Sequence, residues 1–355
     1  MTEYDTDARP PRERQRHPVR TTLLIVGALV VVAALVAGGY LFSLARSFDG
    51  QSDTIETAFP AEESRPTLAP EAKAKAEAEG QDAVNILLLG SDSRAAEAEL
   101  DDVESAGPSD SRSDTMMLMH IPADRQDIQV MSIMRDTWTE IPGQGEHKIN
   151  AAMALGGVPL VVQTVEGLFG TRVDHVASVD FEGFKGLTDA LGGVVVNNPA
   201  AFQSSGVNGE FFAAGPITLQ GDSALKFVRE RYAFSDGDYQ RVRNQQLFVK
   251  SVISEVLNAD TLTDPRKVYR VVDQMSPFIA VDSGLDAGAV GSLALSLRQV
   301  RGGDIDFFTL PNLGTGTSAD GQSIVVKDDD AIAEVADALQ TDDLGDYLAS
   351  SGTAS

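Results

Sequence analysis

The sequence predicts an α/β domain in which a central sheet is covered on both faces, preceded by one transmembrane helix. Three observations carry this. Short apolar runs of strand length alternate with longer amphipathic stretches along residues 82–340, the pattern of a sheet packed between helices. From Thr21 to Ala45 there are 25 consecutive residues without a charge. The chain has no cysteine, so the core must come from packing alone, without disulfides or thiolate-bound metal.

The apolar segment comes first. At 1.5 Å per residue a helix over 21–45 spans roughly 37 Å, enough to cross a bilayer with some tilt. Arg9, Arg12, Arg14, Arg16 and Arg20 precede it, whereas Arg46 is followed closely by Asp49, Asp53 and Glu56. The positive-inside rule then puts residues 1–20 in the cytoplasm and everything after 46 outside the cell membrane. A cleaved signal ending near Ser43-Leu44-Ala45 is the alternative, but its apolar core should run only about 7–15 residues. Both readings export the remainder.

Residues 46–81 read as an extracytoplasmic linker. Pro60, Pro66 and Pro70 precede a charged, Ala-rich stretch from Glu71 to Glu79 that is partly helical. In the domain over 82–340, Val84–Gly90, Thr115–Ile121 and Ile128–Met134 read as strands, the last two joined by a turn at Pro122-Ala123-Asp124. A helix follows from Ile149 to Phe169, irregular at Gly156-Gly157 and Pro159. Val173–Val179 is a strand, Phe181–Leu191 a helix, and Val194–Val196 extended. Helices are predicted over Gly221–Val228, Arg241–Leu257, Pro265–Phe278 and Gly288–Val300. A late strand at Ile305–Leu310 and a closing helix at Asp329–Leu339 end the domain, and 341–355 reads as an acidic, disordered tail.

The formal charge of −25 argues against nucleic acid as a partner, because backbone binding needs a basic footprint. Against that background two concentrations of charge stand out. Asp92 and Arg94 follow the first strand, and Arg135 and Asp136 follow the third. Arg112 and Asp114 lead into the second strand, which reaches the same edge if it runs antiparallel. Between Lys226 and Lys250 there are six basic residues against three acidic ones, in the blocks Arg229-Glu230-Arg231 and Asp238 to Gln245. Any single Arg–Asp pair is most simply a solvated ion pair; its repetition at strand ends, where α/β folds gather function, weakens that account. Guanidinium forks suit phosphate oxygens, and carboxylates beside them suit a hard cation such as Mg²⁺. Outside the cytoplasm a phosphoryl donor must arrive already activated, and membrane tethering points to a lipid carrier.

The motifs resemble those of the LytR–CpsA–Psr (LCP) family of cell-envelope proteins. The matching blocks are Asn85–Arg94, Arg112–Met116, Ser132–Thr137, His147–Ala152 and Arg229–Gln245, in the family's order over roughly residues 82–258. The resemblance implies a three-layer α/β/α domain with a central mixed sheet, an apolar tunnel for a polyprenyl chain and a polar mouth for its diphosphate. It implies transfer of a glycopolymer from polyprenyl diphosphate to peptidoglycan through a phosphodiester, the acceptor being the 6-hydroxyl of N-acetylmuramic acid. It assigns Asp92 and Asp114 to Mg²⁺ (or Mn²⁺), and Arg135, Arg229, Arg231 and Arg241 to the diphosphate. Lys148, Asp238 and Gln245 match further polar positions near the substrate, joined by Arg94, Arg112 and Arg243. Where the family carries arginine beside the glutamine, this chain has Asn244, with Arg243 one place earlier; on a helix that step turns the side chain by about 100°. Tunnel-lining candidates are Val158–Phe169 and, after Arg241, Leu247, Phe248, Val252 and Ile253. Arabinogalactan, wall polysaccharide and teichoic acid would all leave these motifs. The competing functions are a diphosphatase acting on the same lipid, using water as acceptor, and a non-catalytic wall-binding or sensory protein.

Overall fold

The computed structural model describes residues 39, 43–91, 113–205, 208–256 and 264–352. Met1–Leu44 and Ala45–Ser355 form two units. The first, with the expected membrane span and cytoplasmic tail, lies almost wholly outside the described residues.

The second unit is a mixed α/β domain. Its chain order begins with β1 (Asp53–Ile55), helix α1 (Pro70–Glu79), β2 (Val84–Ser91), β3 (Ser113–Ile121) and β4 (Ile128–Ile133). A hairpin of β5 (Trp138–Ile141) and β6 (Gly145–Lys148) leads to α2 (Ala151–Phe169). Then come β7 (His175–Asp180), α3 (Phe181–Ala190), β8 (Val194–Asn198), β9 (Phe202–Gln203), β10 (Phe211–Phe212) and β11 (Gly215–Leu219). Helices α4 (Gly221–Arg229), α5 (Asp238–Val256) and α6 (Pro265–Met275) follow, then β12 (Ala280–Asp282) and α7 (Ala287–Ser296). The chain ends with β13 (Ile305–Thr309), β14 (Asn312–Thr317), β15 (Ser323–Lys327), α8 (Asp329–Gln340) and α9 (Leu344–Ser351).

Among the described residues the central sheet has seven strands in the order β1-β12-β7-β2-β3-β4-β13. β2 and β7 are parallel, as are β4 and β13, whereas β3 runs antiparallel to both β2 and β4. Alternation along β2 divides the core, since successive side chains leave a strand on opposite faces. Leu87 and Leu89 join a cluster with α2, α8 and α9, including Val161, Phe169, Val335 and Leu348. Ile86 and Met117 join a second cluster on the other face with Val249 and Ile253 of α5. A third cluster gathers Phe202, Phe212, Phe227 and Phe248 beneath α4 and α5.

Within α2, Gly156 and Gly157 leave helical geometry just before Pro159, whose ring cannot accept an uninterrupted helix; the sequence predicts this break. Among the described residues α2 is the one helix long and apolar enough to cross a membrane. Its Val161, Val162, Val165 and Phe169 are buried in the core, so it is an internal helix.

Two segments differ from expectation. Residues 46–81, read as a linker, are packed onto the domain. Asp53–Ile55 pairs in parallel with β12 as the sheet's edge strand. Arg65 forms a 2.7 Å salt bridge with Glu166 of α2, both almost fully buried, and its guanidinium stacks on Phe59 at 4.6 Å. Lys75 of α1 bonds the Asp342 carbonyl at 2.8 Å and the Asp343 carboxylate. The prolines and charges of this segment obscure a few irregularly spaced anchors. The tail 341–355, read as disordered, contains α9, whose Leu344 and Leu348 are buried with Tyr347 packed beside them. Their i, i+3, i+4 spacing makes one apolar stripe, while Asp346 in the first turn favours the helix dipole.

Candidate functional site

A cavity of about 670 Å³ lies between the second face of the sheet and helices α3, α4 and α5. Its walls are apolar, with Leu88, Met117, Ala177, Phe184, Leu225 and Phe248 among them. Val249 and Val252 of α5 extend this surface, and Ile279 closes it towards β12. At one end the lining turns polar, with Arg135, Arg229, Arg231, Arg241 and Gln245 together.

Sheet register explains that convergence. Ser91 at the end of β2 pairs with Asp180 at the end of β7 and with Ser113 at the start of β3. Ile133, two residues before Arg135, lies near the end of antiparallel β4, opposite Met116. The β2–β3 ladder shifts between Gly90 and Ser91, leaving Asp114 as the extra residue between Thr115 and Ser113. Such a bulge re-aims the local side chains. Gly90 leaves room there: a Cβ on it would sit 3.0 Å from Thr115 Cβ, a tight contact that Thr115 would have to yield to.

The arginines are held by specific partners. Arg229 ends α4, and its guanidinium lies 4.1 Å from the Phe181 ring centroid. Arg231 stacks on Tyr232 at 4.5 Å. Asp238, at the start of α5, bridges Arg231 at 3.4 Å and Arg241 at 3.1 Å, letting two guanidinium ions approach despite their repulsion. Arg241 is buried, and a guanidinium stays charged when buried, so an anion in the cavity mouth would be electrostatically favoured. Between Arg229 and Arg231, Glu230 turns its carboxylate towards Ser205 and Ala233. Its carboxylate accepts from Ser205 N at 2.6 Å, Ser205 Oγ at 2.9 Å and Ala233 N at 2.9 Å. Burial opposes its ionisation, but the hydrogen bonds from Ser205, Ala233 and Tyr232 outweigh it and hold its pKa below the usual carboxylate value.

The remaining expected residues divide. Gln245 lines the cavity and donates to the Val228 carbonyl at 3.4 Å. Lys148 pairs with Asp136 at 3.2 Å beside Arg135, outside the cavity lining. Arg243 is half-exposed, pairs with Asp236 and donates to Gln240 at 3.0 Å. Asn244 is buried and donates to the Phe227 carbonyl at 3.2 Å; the 100° step between neighbours therefore separates solvent from core. Among the tunnel candidates, Phe248 and Val252 line the cavity, whereas Leu247 and Ile253 pack in apolar clusters beside it. Val158–Phe169 belongs to α2, on the opposite face of the sheet. Asp180, Phe181 and Ser205 also line the cavity without having been singled out by sequence, and Glu230, named only within its charge block, lines it too. Asp180 was findable as the acidic N-cap at a strand-to-helix junction; its side chain accepts from Gly183 N at 2.6 Å.

Asp92, Arg94 and Arg112 lie outside the described residues, and Asp114 is described in its backbone alone. Among the described residues no group of three His, Cys, Asp or Glu side chains could hold a metal ion. The register brings Ser91 and the bulged position 114 to one edge of the sheet. Carboxylate oxygens are the donors a hard divalent cation takes.

The profile of the LytR_cpsA_psr family matches residues 49–341. The cell wall biosynthesis protein LcpA of Corynebacterium glutamicum is 32% identical over 282 residues, 69% of this chain and 53% of that protein. The polyisoprenyl-teichoic acid–peptidoglycan teichoic acid transferase TagU of Oceanobacillus iheyensis is 31% identical over 331 residues, 91% of this chain and 95% of that protein. Among solved structures, Bacillus subtilis TagV superposes with a TM-score of 0.62 at 23% identity, covering 74% of this chain and 97% of that one. An LCP enzyme from Actinomyces oris gives a TM-score of 0.61 at 20% identity, with 82% and 96% covered. At such identities the two structures speak for the fold alone.

Proposed function

The chain belongs to the LytR–CpsA–Psr family, and from that premise we propose that it transfers a glycopolymer from a polyprenyl diphosphate carrier to peptidoglycan through a phosphodiester, outside a membrane to which residues 21–45 anchor it. The observation that carries this reading is the union of one apolar cavity with a cluster of arginines at one end. A volume of about 670 Å³ falls within the range of small-ligand sites, roughly 300–1,000 Å³. Its apolar walls suit an isoprenoid chain, and its charged end suits a diphosphate. The printed name of the TagU relative describes the same class of transfer.

The chemistry follows from the residues. Arg135, Arg229, Arg231 and Arg241 bind the diphosphate oxygens and stabilise charge developing on them. The acceptor sugar hydroxyl attacks the glycan-proximal phosphorus, a new P–O bond forms, the bond to polyprenyl phosphate breaks, and the hydroxyl proton leaves with the departing phosphate. Asp238 keeps Arg231 and Arg241 together, while Glu230 holds residue 205 against the end of α4. A Mg²⁺ ion held by Asp92 and Asp114 would supply further neutralisation of the diphosphate charge. The apolar walls keep water from the lipid side of the reacting bond.

The test uses full-length protein in vesicles with a polyprenyl diphosphate-linked glycan and peptidoglycan as acceptor. A covalent glycan–peptidoglycan adduct, with stoichiometric polyprenyl phosphate, is expected, and Arg229→Ala should reduce it by about 10²-fold or more. Release of phosphorylated glycan without adduct would make the protein a diphosphatase instead.

A further inference from the structure

The way the chain enters the domain determines which side of it meets lipid. Residues 45–51 are helical, and contacts begin immediately. Ser47 Oγ donates to Asp273 of α6 at 2.7 Å, and Gln51 Nε2 donates to the same carboxylate at 3.0 Å. Phe48 is buried with Val281 and Leu285. Asp49 Oδ1 accepts from the backbone N–H of Ala287, the first residue of α7, at 2.9 Å. Ser47 is two residues beyond Ala45, where the uncharged span ends; a helix covers that in about 3 Å and an extended chain in about 7 Å.

The surface around this entry combines the carboxylates of Asp49 and Asp273, which hold the entering chain, with basic and uncharged groups. On α6, Arg266 and Tyr269 are exposed and share a face with Asp273, the residue that grips Ser47. Helix α7 has no charged residue in ten and none of them is buried; Leu295 is 68% exposed. Val272 of α6 and Ala287, Ala289 and Val290 of α7 pack in one apolar cluster with Phe48, so an exposed arginine, an exposed tyrosine and an uncharged surface helix flank the entry, groups favoured at the boundary of headgroups and acyl chains.

We infer that residues 46–52, the Arg266/Tyr269 face of α6 and the exposed face of α7 lie against the outer surface of the bilayer, with phospholipid as the partner. The inference rests on the anchor reading of residues 21–45. It leaves the domain no free tether, and it brings the cavity within one strand of the lipid: the Ile279 carbonyl, from a residue of the cavity wall, accepts from Asp53 N of β1 at 3.2 Å.

The absence of cysteine gives a clean background for single labels. Full-length Ser292→Cys, on the exposed side of α7, and Ala333→Cys, on the exposed side of α8, are labelled with an environment-sensitive fluorophore. Each is reconstituted in phosphatidylglycerol/phosphatidylethanolamine vesicles carrying a headgroup nitroxide. Flotation with the vesicles is scored first; failure to float removes both the anchor reading and this inference. In floating samples the label at 292 should be quenched several-fold more than the label at 333. Equal quenching at both sites overturns the inference and leaves the anchor intact. So does a signal at 292 that follows protein density and ignores the nitroxide, which would mean a second copy covers this face.

Discussion

Leu87 and Leu88 are neighbours on β2, yet they belong to two different kinds of interior. Leu87 is fully buried in the cluster formed with α2, α8 and α9. Leu88 faces α5 from the other side and borders the cavity. One face of the sheet is closed by helices that fill the space; the other is covered by α3, α4 and α5, which stand off it around about 670 Å³. The same apolar alternation serves both, so hydrophobicity specifies that a face is covered without specifying how tightly. What distinguishes the open face is the charge at its rim, where Arg229, Arg231 and Arg241 follow directly from the helices that form the roof.

That contrast can be broken by mutation. Leu87→Ala should cost roughly 3–5 kcal/mol in urea unfolding, because a fully packed site cannot collapse around the deleted atoms. Leu88→Ala should cost only about 1–2 kcal/mol, its side chain being partly uncovered already; equal losses would mean that the cavity is closed in solution. Arg241→Ala should lower adduct formation by about 10²–10³-fold while the unfolding midpoint shifts far less. A matched loss of stability would return Arg241 to a purely structural role. Val252→Trp should fill the open face, leaving the fold intact and reducing turnover about tenfold or more through lost lipid binding, since overpacked cavities tolerate added volume that packed cores do not. Unchanged turnover with a long-chain donor would remove α5 from the tunnel.

The smallest effect lies at the other end of the sheet. His175 begins β7, and its Nδ1 is 3.2 Å from Asp282 Oδ2. That hydrogen bond raises the His175 pKa against the opposing effect of burial. Burial pushes Asp282 upward, but hydrogen bonds from His175, Val176 N and Gly284 N bring it below its ordinary value. A raised histidine pKa adds stability that is complete below the unfolded-state pKa and is lost as pH rises through the folded value. The depressed Asp282 adds stability present above its unfolded pKa and lost as pH falls through its folded one. His175→Gln should therefore flatten the decline in stability on the alkaline side of the histidine titration. Its adduct-formation pH profile should not move, because His175 is at the end of β7 remote from Asp180; a moved profile would tie the two ends together.

Much of the scaffold was legible because apolar runs of strand length and amphipathic stretches of helix length are local signals. Val84–Gly90, Thr115–Ile121 and Phe181–Leu191 needed only shifts of a residue or two. The β14–β15 hairpin was not legible, since Asn312-Leu313-Gly314-Thr315-Gly316-Thr317 has no apolar run and one pleat irregularity. β12 is three residues long and owes its existence to its neighbours. Strand-end reasoning picked Arg135 and local charge picked the block from Arg229 to Gln245; of these, Arg135, Arg229, Arg231, Arg241 and Gln245 line the cavity. The sequence could not tell Val158–Phe169 from a tunnel wall, because periodicity reports that a helix face is buried and not what it is buried against. Nor could it give Glu230 its task, which depends on a hydrogen bond to Ser205 twenty-five positions away.

The edge strand β1 has one more consequence, for the order in which the molecule can be assembled. Its partner β12 is made long after it, and β12 itself needs β7 on its other side. A ribosome delivers Asp53–Ile55 before either exists, so the first strand synthesised must wait unpaired while most of the chain is completed. The segment that opens the domain is thus among the last to acquire its native hydrogen bonds. Residues 46–55 serve as a clasp that closes only once β7 and β12 are in place.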